Sequence, residues 1–339
     1  MEDKKITIGI IGGGFSGTVL ASNLISNASK PLEIILVEES YHLLNKGIAY
    51  STTCPYHPLN IPASQMGASP DDAEDFYRWI LKNQKKWRSL KPYFSTLEVN
   101  SHSFLPRLLF GMYMEDLFQQ IQCMAKEKGV VLRLIFQKAV DVHHHTDQLE
   151  VVFQDDSRIL VDKLVLATGV SPFKKFPFED AVLLRDKRYV SNFWGSKLTK
   201  EQAGNTVVII GSGLTMIDAV ASLKELNYSG KIVCISLHGK IPAAHLNENL
   251  VPLPFTIPDN LSTRLIIKYI RNEIKKSRDK NWRQFIDSLR PKTEFLWKKM
   301  PLQTKKRFLR HFFSFWNKFR HRMSPESYKM IEQLKASGH

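Results

Sequence analysis

The chain has 339 residues, of which 43% are hydrophobic and 24% charged, a composition typical of a globular protein rather than a disordered one. It contains no apolar run close to the length of a membrane-spanning helix, and no signal-peptide cleavage site follows its first residues. The three cysteines, Cys54, Cys123 and Cys234, lie far apart. This spacing excludes a zinc ribbon, a redox dithiol and a disulfide scaffold, and it predicts a cytoplasmic protein.

The net charge of +15 comes from one segment near the C-terminus. Residues 264–322 contain 19 Lys or Arg against 4 Asp or Glu, and the rest of the chain is neutral. A peripheral anionic surface or a nucleic acid is therefore a candidate partner for this segment only. Aromatic residues recur in it at helical spacing: Phe308, Phe312, Phe315 and Phe319. We favour packing of this stripe against the rest of the protein, and we predict no specific nucleic-acid partner.

The chain opens with the order strand, glycine-rich turn, helix, strand. Ile6–Ile11 and Glu33–Glu38 are short, β-branched runs of the kind that form buried parallel strands. A helix is predicted to begin at Ser69, with an apolar stripe of Phe76, Trp79 and Ile80.

Further strands and a second unit follow. Val131–Phe136 and Leu149–Phe153 predict a small antiparallel piece at about 130–160, and Lys163–Gly169 is a buried strand that ends in glycine. Thr206–Leu226 then repeats the order strand, glycine turn, helix. The sequence therefore predicts an α/β protein with two dinucleotide-binding (Rossmann-like) βαβ units, followed by long basic and aromatic helices.

The first glycine turn has the spacing GxGxxG at Gly12, Gly14 and Gly17. The first glycine permits the tight turn, the second lets the backbone approach a pyrophosphate, and the third lets the helix pack closely on its strand. The helix N-terminus, with Phe15 and Ser16 in its first turn, attracts phosphate. Glu38 ends the second strand 21 residues after Gly17, where a carboxylate can accept hydrogen bonds from a ribose.

The second turn retains Gly211 and Gly213 but has Met216 in place of the third glycine. Leu214 and Thr215 begin its helix. We predict a dinucleotide site here as well. Its second strand ends in Ser236, Leu237 and His238, without the acid that reads a free ribose or the arginine that reads a 2′-phosphate. NADPH and NADH therefore remain equal candidates.

The chain resembles the bacterial FAD/NAD(P)-binding protein family, distant relatives of flavin-containing monooxygenases and of lysine and ornithine N-hydroxylases. Five blocks carry the resemblance: Gly47–Asp72, Phe104–Tyr113, Leu164–Gly169, Gly211–Asp218 and Arg307–Pro325. It implies FAD at the first turn, with Thr168 and Gly169 at a strand end, and a nicotinamide dinucleotide at the second.

The loop of residues 47–66 is expected to be irregular, and the resemblance implies that it leads toward the flavin ring. Tyr50 and Asn60 in this loop, and Arg107 before a helical stretch, are further candidates for cofactor contacts; His57 is another polar residue of the loop. We name no catalytic side chain, because flavin chemistry is performed by the cofactor. We also predict no metal site, since the adjacent residues His143–His145 cannot converge on one ion.

These observations predict an FAD-binding domain at residues 1–195, an NAD(P)-binding unit at 200–257 and a basic aromatic helical region at 258–339. The resemblance implies an FAD-dependent oxidoreductase that takes hydride from NAD(P)H and passes electrons to oxygen or a small-molecule substrate, with monooxygenation as one outcome. The alternative is a flavin- or nucleotide-binding protein without efficient turnover. Relatives continue beyond the Arg307–Pro325 block, so the FAD domain is expected to be shortened at its C-terminal end, with weak flavin retention.

Overall fold

The computed structural model describes residues 5–69, 71–170, 176–194, 198–246 and 282–338, together with four single positions between 265 and 275. The chain divides into two compact units, Met1–Gln202 and Ala203–His339. We call them the first and second units.

The first unit is built on a four-stranded parallel sheet in the order β3-β2-β1-β7. Its strands are β1 (Ile6–Ile11), β2 (Leu32–Val37), β3 (Val131–Ile135) and β7 (Lys163–Leu166). Alternate side chains of β1 and β2 enter two separate cores, one with Ile10, Ile34 and Leu36 and the other with Ile11, Ile35 and Val37. A parallel sheet covered on both faces confirms the predicted α/β class.

A second, antiparallel sheet consists of β4 (Ala139–His144), β5 (Leu149–Phe153) and β6 (Arg158–Val161). The prediction that Val131–Phe136 belongs to this piece is wrong. The 21-residue helix α6 (Arg107–Glu127) carries the chain back along the parallel sheet, so that β3 pairs with β2 in the same direction. The antiparallel sheet therefore starts at Ala139, and Val151 and Phe153 close the core that holds Ile35.

The remaining helices of the chain up to residue 203 are mostly short. They are α1 (Phe15–Ser26), α2 (Gly47–Tyr50), α3 (Asp75–Lys82), α4 (Gln84–Arg88), α5 (Pro92–Ser95), α7 (Ala181–Arg185) and α8 (Lys200–Ala203), with 3-10 turns at Tyr41–Leu43 and Ala63–Gln65. The loop of residues 47–66 therefore contains one helical and one 3-10 turn, contrary to the prediction that it is irregular throughout.

The helix predicted to start at Ser69 begins later, at Asp75. Ser69 instead forms an isolated bridge with Asp72, which delays the helix by one tight turn. The predicted apolar stripe is confirmed, because Phe76, Trp79 and Ile80 are buried in the core beside α6.

The second unit starts with β8 (Thr206–Ile210), α9 (Leu214–Glu225) and β9 (Lys231–Ile235), and the two strands pair in parallel. This is the predicted strand, turn, helix, strand order. One face of α9 buries Met216, Ile217 and Val220 against Ile209, Ile232, Met323 and Ile331.

The C-terminal helices are shorter than predicted. They are α10 (Trp282–Leu289), α11 (Thr293–Lys299), α12 (Leu302–His311), α13 (Phe313–Arg320) and α14 (Pro325–Ala336), with a 3-10 turn at Arg290–Lys292. Pro291 and Pro301 lie between them, since proline cannot donate the backbone hydrogen bond that a continuing helix requires. The predicted aromatic stripe is thus divided between α12 and α13, with Phe312 at the break. No described helix is long and apolar enough to cross a membrane.

Candidate cofactor sites

The glycine turn between β1 and α1 is closed so tightly that only glycine fits two of its positions. Gly12 has φ +104°, and a Cβ there would lie 2.3 Å from the carbonyl oxygen of Ala167. A Cβ at Gly17 would lie 2.0 Å from the carbonyl oxygen of Gly12. The turn and the close approach of helix to strand predicted for these two glycines are both present.

Gly14 lies at the start of α1, where it faces another part of the chain. A Cβ on Gly14 would meet Gly47 at 3.1 Å from its Cα, because Gly47 turns back over the loop with φ +57°. The helix begins without a side-chain cap and without an acidic residue in its first turn, which contains Phe15 and Ser16. Such an N-terminus carries uncompensated partial positive charge and fits a phosphate group.

Glu38 is held beside the same turn. Its Oε2 accepts the backbone N–H of Gly13 at 2.9 Å, and the side chain is largely buried at the end of β2. This hydrogen bond fixes the orientation of the carboxyl group. Glu38 therefore places hydrogen-bond-accepting oxygens next to the turn, as a ribose requires.

Thr168 and Gly169 follow β7 and border the turn from the other side. The backbone nitrogen of Thr168 would be 3.1 Å from a Cβ on Gly12, and both Thr168 and Gly169 are exposed. The structure thus brings together the first glycine turn, Glu38 and this strand end, which are far apart in sequence.

Tyr50 adjoins the turn through its aromatic ring. Ring centroids of Tyr50 and Phe15 are 5.9 Å apart, and those of Tyr50 and Phe110 are 4.5 Å apart. Burial raises the pKa of the Tyr50 hydroxyl, and the positive charge of Arg107 partly opposes that shift. Tyr50 is therefore a protonated hydrogen-bond donor at neutral pH.

Arg107 is buried at the first position of α6. Its backbone N–H donates to the carbonyl oxygen of His57 at 2.8 Å, and its guanidinium carbon lies 5.4 Å from the ring centroid of Trp194. His57, also buried, contacts the ring of Trp194 at 5.5 Å and has its Nδ1 2.8 Å from Thr52 Oγ1. Asn60 lies half-buried three residues after His57.

The sequence did not indicate Trp194 as part of this cluster. Trp194 lies 87 positions after Arg107 in the sequence, and no periodic pattern around Trp194 predicts that the two side chains are in contact. The one available signal was the adjacent pair Phe193 and Trp194, whose rings both contact His57.

In the second unit, no atoms lie close to the glycines of the turn, whereas in the first unit backbone atoms lie close to them. Gly211 has φ +110°, as a tight turn requires, and a Cβ on Gly211 or Gly213 would meet no atom within 4 Å. Helix α9 begins at Leu214, and its first turn, with Thr215, has neither a side-chain cap nor an acid. This N-terminus also fits a phosphate, and its glycines leave space for one.

The loop after β9 is tied back to this turn. Ser212 Oγ lies 2.8 Å from Ser236 Oγ and 2.7 Å from the carbonyl oxygen of Lys240. Leu237, at the tip, is almost fully exposed. Lys240, which the sequence analysis did not single out, places its Nζ 4.1 Å from the ring centroid of Phe315. The loop that follows β9 thus places hydroxyl groups, and no carboxylate, beside the second glycine turn.

Among the residues that the structure describes, no group of three His, Cys, Asp or Glu side chains could hold a metal ion. His143 and His144 lie in β4, and all three adjacent histidines are exposed. None of the three cysteines forms a disulfide.

Residues 9–171 match the FAD-NAD(P)-binding family. The small chain of glutamate synthase [NADPH] of Bacillus subtilis is 26% identical over 148 residues, which cover 38% of this chain and 29% of that protein. The chain thus spans less than a third of the curated relative that it matches.

The chain also resembles solved structures of flavoproteins. A flavin-containing monooxygenase from Stenotrophomonas maltophilia is 15% identical, with 78% of this chain and 64% of that one covered and a TM-score of 0.45. An ornithine N-hydroxylase from Kutzneria sp. 744 is 12% identical, with 99% and 70% covered and a TM-score of 0.47. The family match includes the first glycine turn, Glu38 and Gly169, and it confirms the resemblance seen in the sequence: residues 9–171 match a family of FAD-NAD(P)-binding domains, whose cofactors are FAD and NAD(P).

Proposed function

We propose that the chain is an FAD-dependent oxidoreductase that uses NAD(P)H as hydride donor, with FAD at residues 1–195 and the nicotinamide dinucleotide at residues 200–257. The observation that carries this proposal is the first glycine turn, which packs with Glu38 against one helix N-terminus inside the family match. A second turn of the same design, with open space at Gly213, supports two nucleotide sites in one chain.

Each part of the first unit has a role toward FAD. The N-terminus of α1 would hold the pyrophosphate, Glu38 would accept hydrogen bonds from the ribose, and the Thr168–Gly169 strand end would border the nucleotide. When bound, FAD accepts a hydride and transfers electrons to oxygen or an organic acceptor, a chemistry that belongs to the cofactor. The protein contributes orientation and the exclusion of water.

Tyr50 and Arg107 are the polar groups that we assign to the reacting end of the site. Arg107 offers a buried positive charge to a phosphate or a carboxylate, and its position over Trp194 limits its rotation. Tyr50, protonated at neutral pH, donates a hydrogen bond from the same neighbourhood. We propose that a small-molecule substrate is held between such groups.

The absorbance spectrum of the purified full chain tests this proposal. We expect visible flavin absorption after incubation with FAD, and its bleaching under nitrogen by NADH or NADPH. Flavin that binds but resists bleaching by both nucleotides would favour the alternative, a binding protein without turnover. A chain that takes up no flavin at all would contradict the proposed oxidoreductase and the flavin-binding form of the alternative.

Glu38→Gln is expected to weaken FAD binding about tenfold, which corresponds to about 1.4 kcal/mol. The amide still accepts the Gly13 N–H, but a neutral acceptor forms weaker hydrogen bonds to ribose hydroxyls than a carboxylate does. The dissociation constant follows from quenching of flavin fluorescence. Glu39→Gln is the matched control, because the neighbouring Glu39 is exposed; equal affinities in the two variants would contradict the assignment of Glu38.

Discrimination between NADH and NADPH is expected to stay within about tenfold, or 1.4 kcal/mol. Ser236 can hydrogen-bond to a ribose hydroxyl or a phosphate, and neither an acid nor an arginine enforces one choice. Rate constants for flavin reduction at equal, subsaturating concentrations measure the ratio. A hundredfold preference would mean that another residue reads the 2′ position, and Lys240→Ala would then be the first variant to examine.

A further inference from the structure

Residues 293–320, which we call the aromatic–basic segment, form α11, α12 and α13 without a single buried side chain. The segment contains eight Lys or Arg and one acidic residue, Glu294. Large apolar side chains are exposed on it: Phe295 by 53%, Leu302 by 67%, Leu309 by 51%, and Phe313 and Phe315 by 44% each. Exposed apolar groups concentrated within a strongly positive surface indicate an interaction site.

Helix α12 shows how these groups are arranged. Leu302 and Leu309 are seven residues apart and lie on one face, with Lys305 and Lys306 on its two sides. A different face carries Phe308, whose ring lies 6.0 Å from Trp297 and 5.9 Å from Phe312. The aromatic side thus holds the helices together, and the leucine side is left for an outside partner.

We propose that the aromatic–basic segment docks on an anionic lipid surface. Its Lys and Arg side chains match the negative headgroups, and Leu302 and Leu309 enter the boundary with the acyl chains. The short length of the helix suits binding in the plane of the interface. The proposal concerns a surface outside both nucleotide turns and does not depend on the proposed function.

Two other occupants fit the observations less well. A second copy of the segment would bring eight positive charges against eight others, which like-charge repulsion opposes. Single-stranded nucleic acid binds by stacking bases on open aromatic faces. Here ammonium groups lie over three of the rings, with Lys299 4.3 Å from Phe295, Lys240 4.1 Å from Phe315 and Lys305 5.6 Å from Trp297. Exposed leucines also offer nothing to a base.

Cosedimentation of the full chain with vesicles tests the proposal. One vesicle contains phosphatidylcholine alone, and the other contains phosphatidylcholine with phosphatidylglycerol. We expect binding to the second vesicle only, and weakening at high salt because the charge attraction is screened. The double variant Leu302→Ser/Leu309→Ser should reduce binding at least about tenfold without changing the unfolding temperature, because both leucines are exposed.

Matched control variants distinguish binding through this face of α12 from nonspecific binding through any exposed apolar or basic side chain. Leu90→Ser removes a leucine of the first unit that is 46% exposed. The reversal Lys306→Glu/Arg310→Glu is paired with Lys85→Glu/Lys126→Glu, which changes the net charge by the same amount on the first unit. We expect only the substitutions in α12 to reduce binding at least about tenfold. Equal loss in the paired variants, absence of binding to the anionic vesicle, or tight binding of a single-stranded oligonucleotide in its place would overturn the proposal.

Discussion

Gly213→Asp is expected to abolish reduction of the flavin by NADH and NADPH while FAD binding and the fold remain intact. A Cβ at this position would meet no atom within 4 Å, and the backbone of Gly213 is extended at φ −83°. Aspartate is also a favoured residue at a helix N-cap, so α9 should not lose stability. It would nevertheless place a negative charge where we propose that the pyrophosphate of the nicotinamide dinucleotide binds.

We expect the apparent affinity for NADPH to fall at least about 100-fold, or about 2.8 kcal/mol, measured as the concentration dependence of anaerobic flavin bleaching. Ser229→Asp, which adds the same charge to an exposed position beyond the other end of α9, is the control and should bleach normally. Normal bleaching by Gly213→Asp would place the hydride donor elsewhere, whereas loss of flavin from this variant would mean that the second turn holds FAD.

Gly17→Ala is expected to destabilise the first unit by about 3 kcal/mol or more and to abolish flavin retention. Its Cβ would lie 2.0 Å from the carbonyl oxygen of Gly12, and this oxygen belongs to the backbone of the turn and cannot rotate away as a side chain can. Either α1 moves off the sheet or the turn opens, and both changes displace Glu38 from the Gly13 N–H. The midpoint of urea unfolding and the flavin content after purification measure the two effects.

Gly129→Ala is the matched control for this substitution. Gly129 follows α6 at φ +66°, and a Cβ there would meet no atom within 4 Å. The control therefore carries only the cost of a left-handed backbone, about 1 to 2 kcal/mol. If Gly17→Ala lowered the unfolding midpoint no more than Gly129→Ala, the close packing of α1 against Gly12 would be contradicted.

Turns and strand ends that depend on a few neighbouring residues could be predicted from the sequence alone. Gly12, Gly17 and Gly211 mark turns because a positive φ or a contact with backbone tolerates no other residue. The position of Glu38 at the end of its strand follows from the same short-range spacing.

Contacts between segments that are far apart in the sequence became evident only from the tertiary structure. Val131–Ile135 has the same local pattern in either kind of sheet, and the path of α6 made it a parallel partner of β2. The contact of Arg107 with Trp194 and the approach of Gly47 to Gly14 likewise join residues that share no periodicity. The exposure of Leu302 and Leu309 could not be predicted from the sequence either. A helical pattern indicates which face of a helix is apolar, but not whether another part of the protein covers that face. Local conformational preference is encoded residue by residue, whereas pairing and burial depend on how the whole chain returns upon itself.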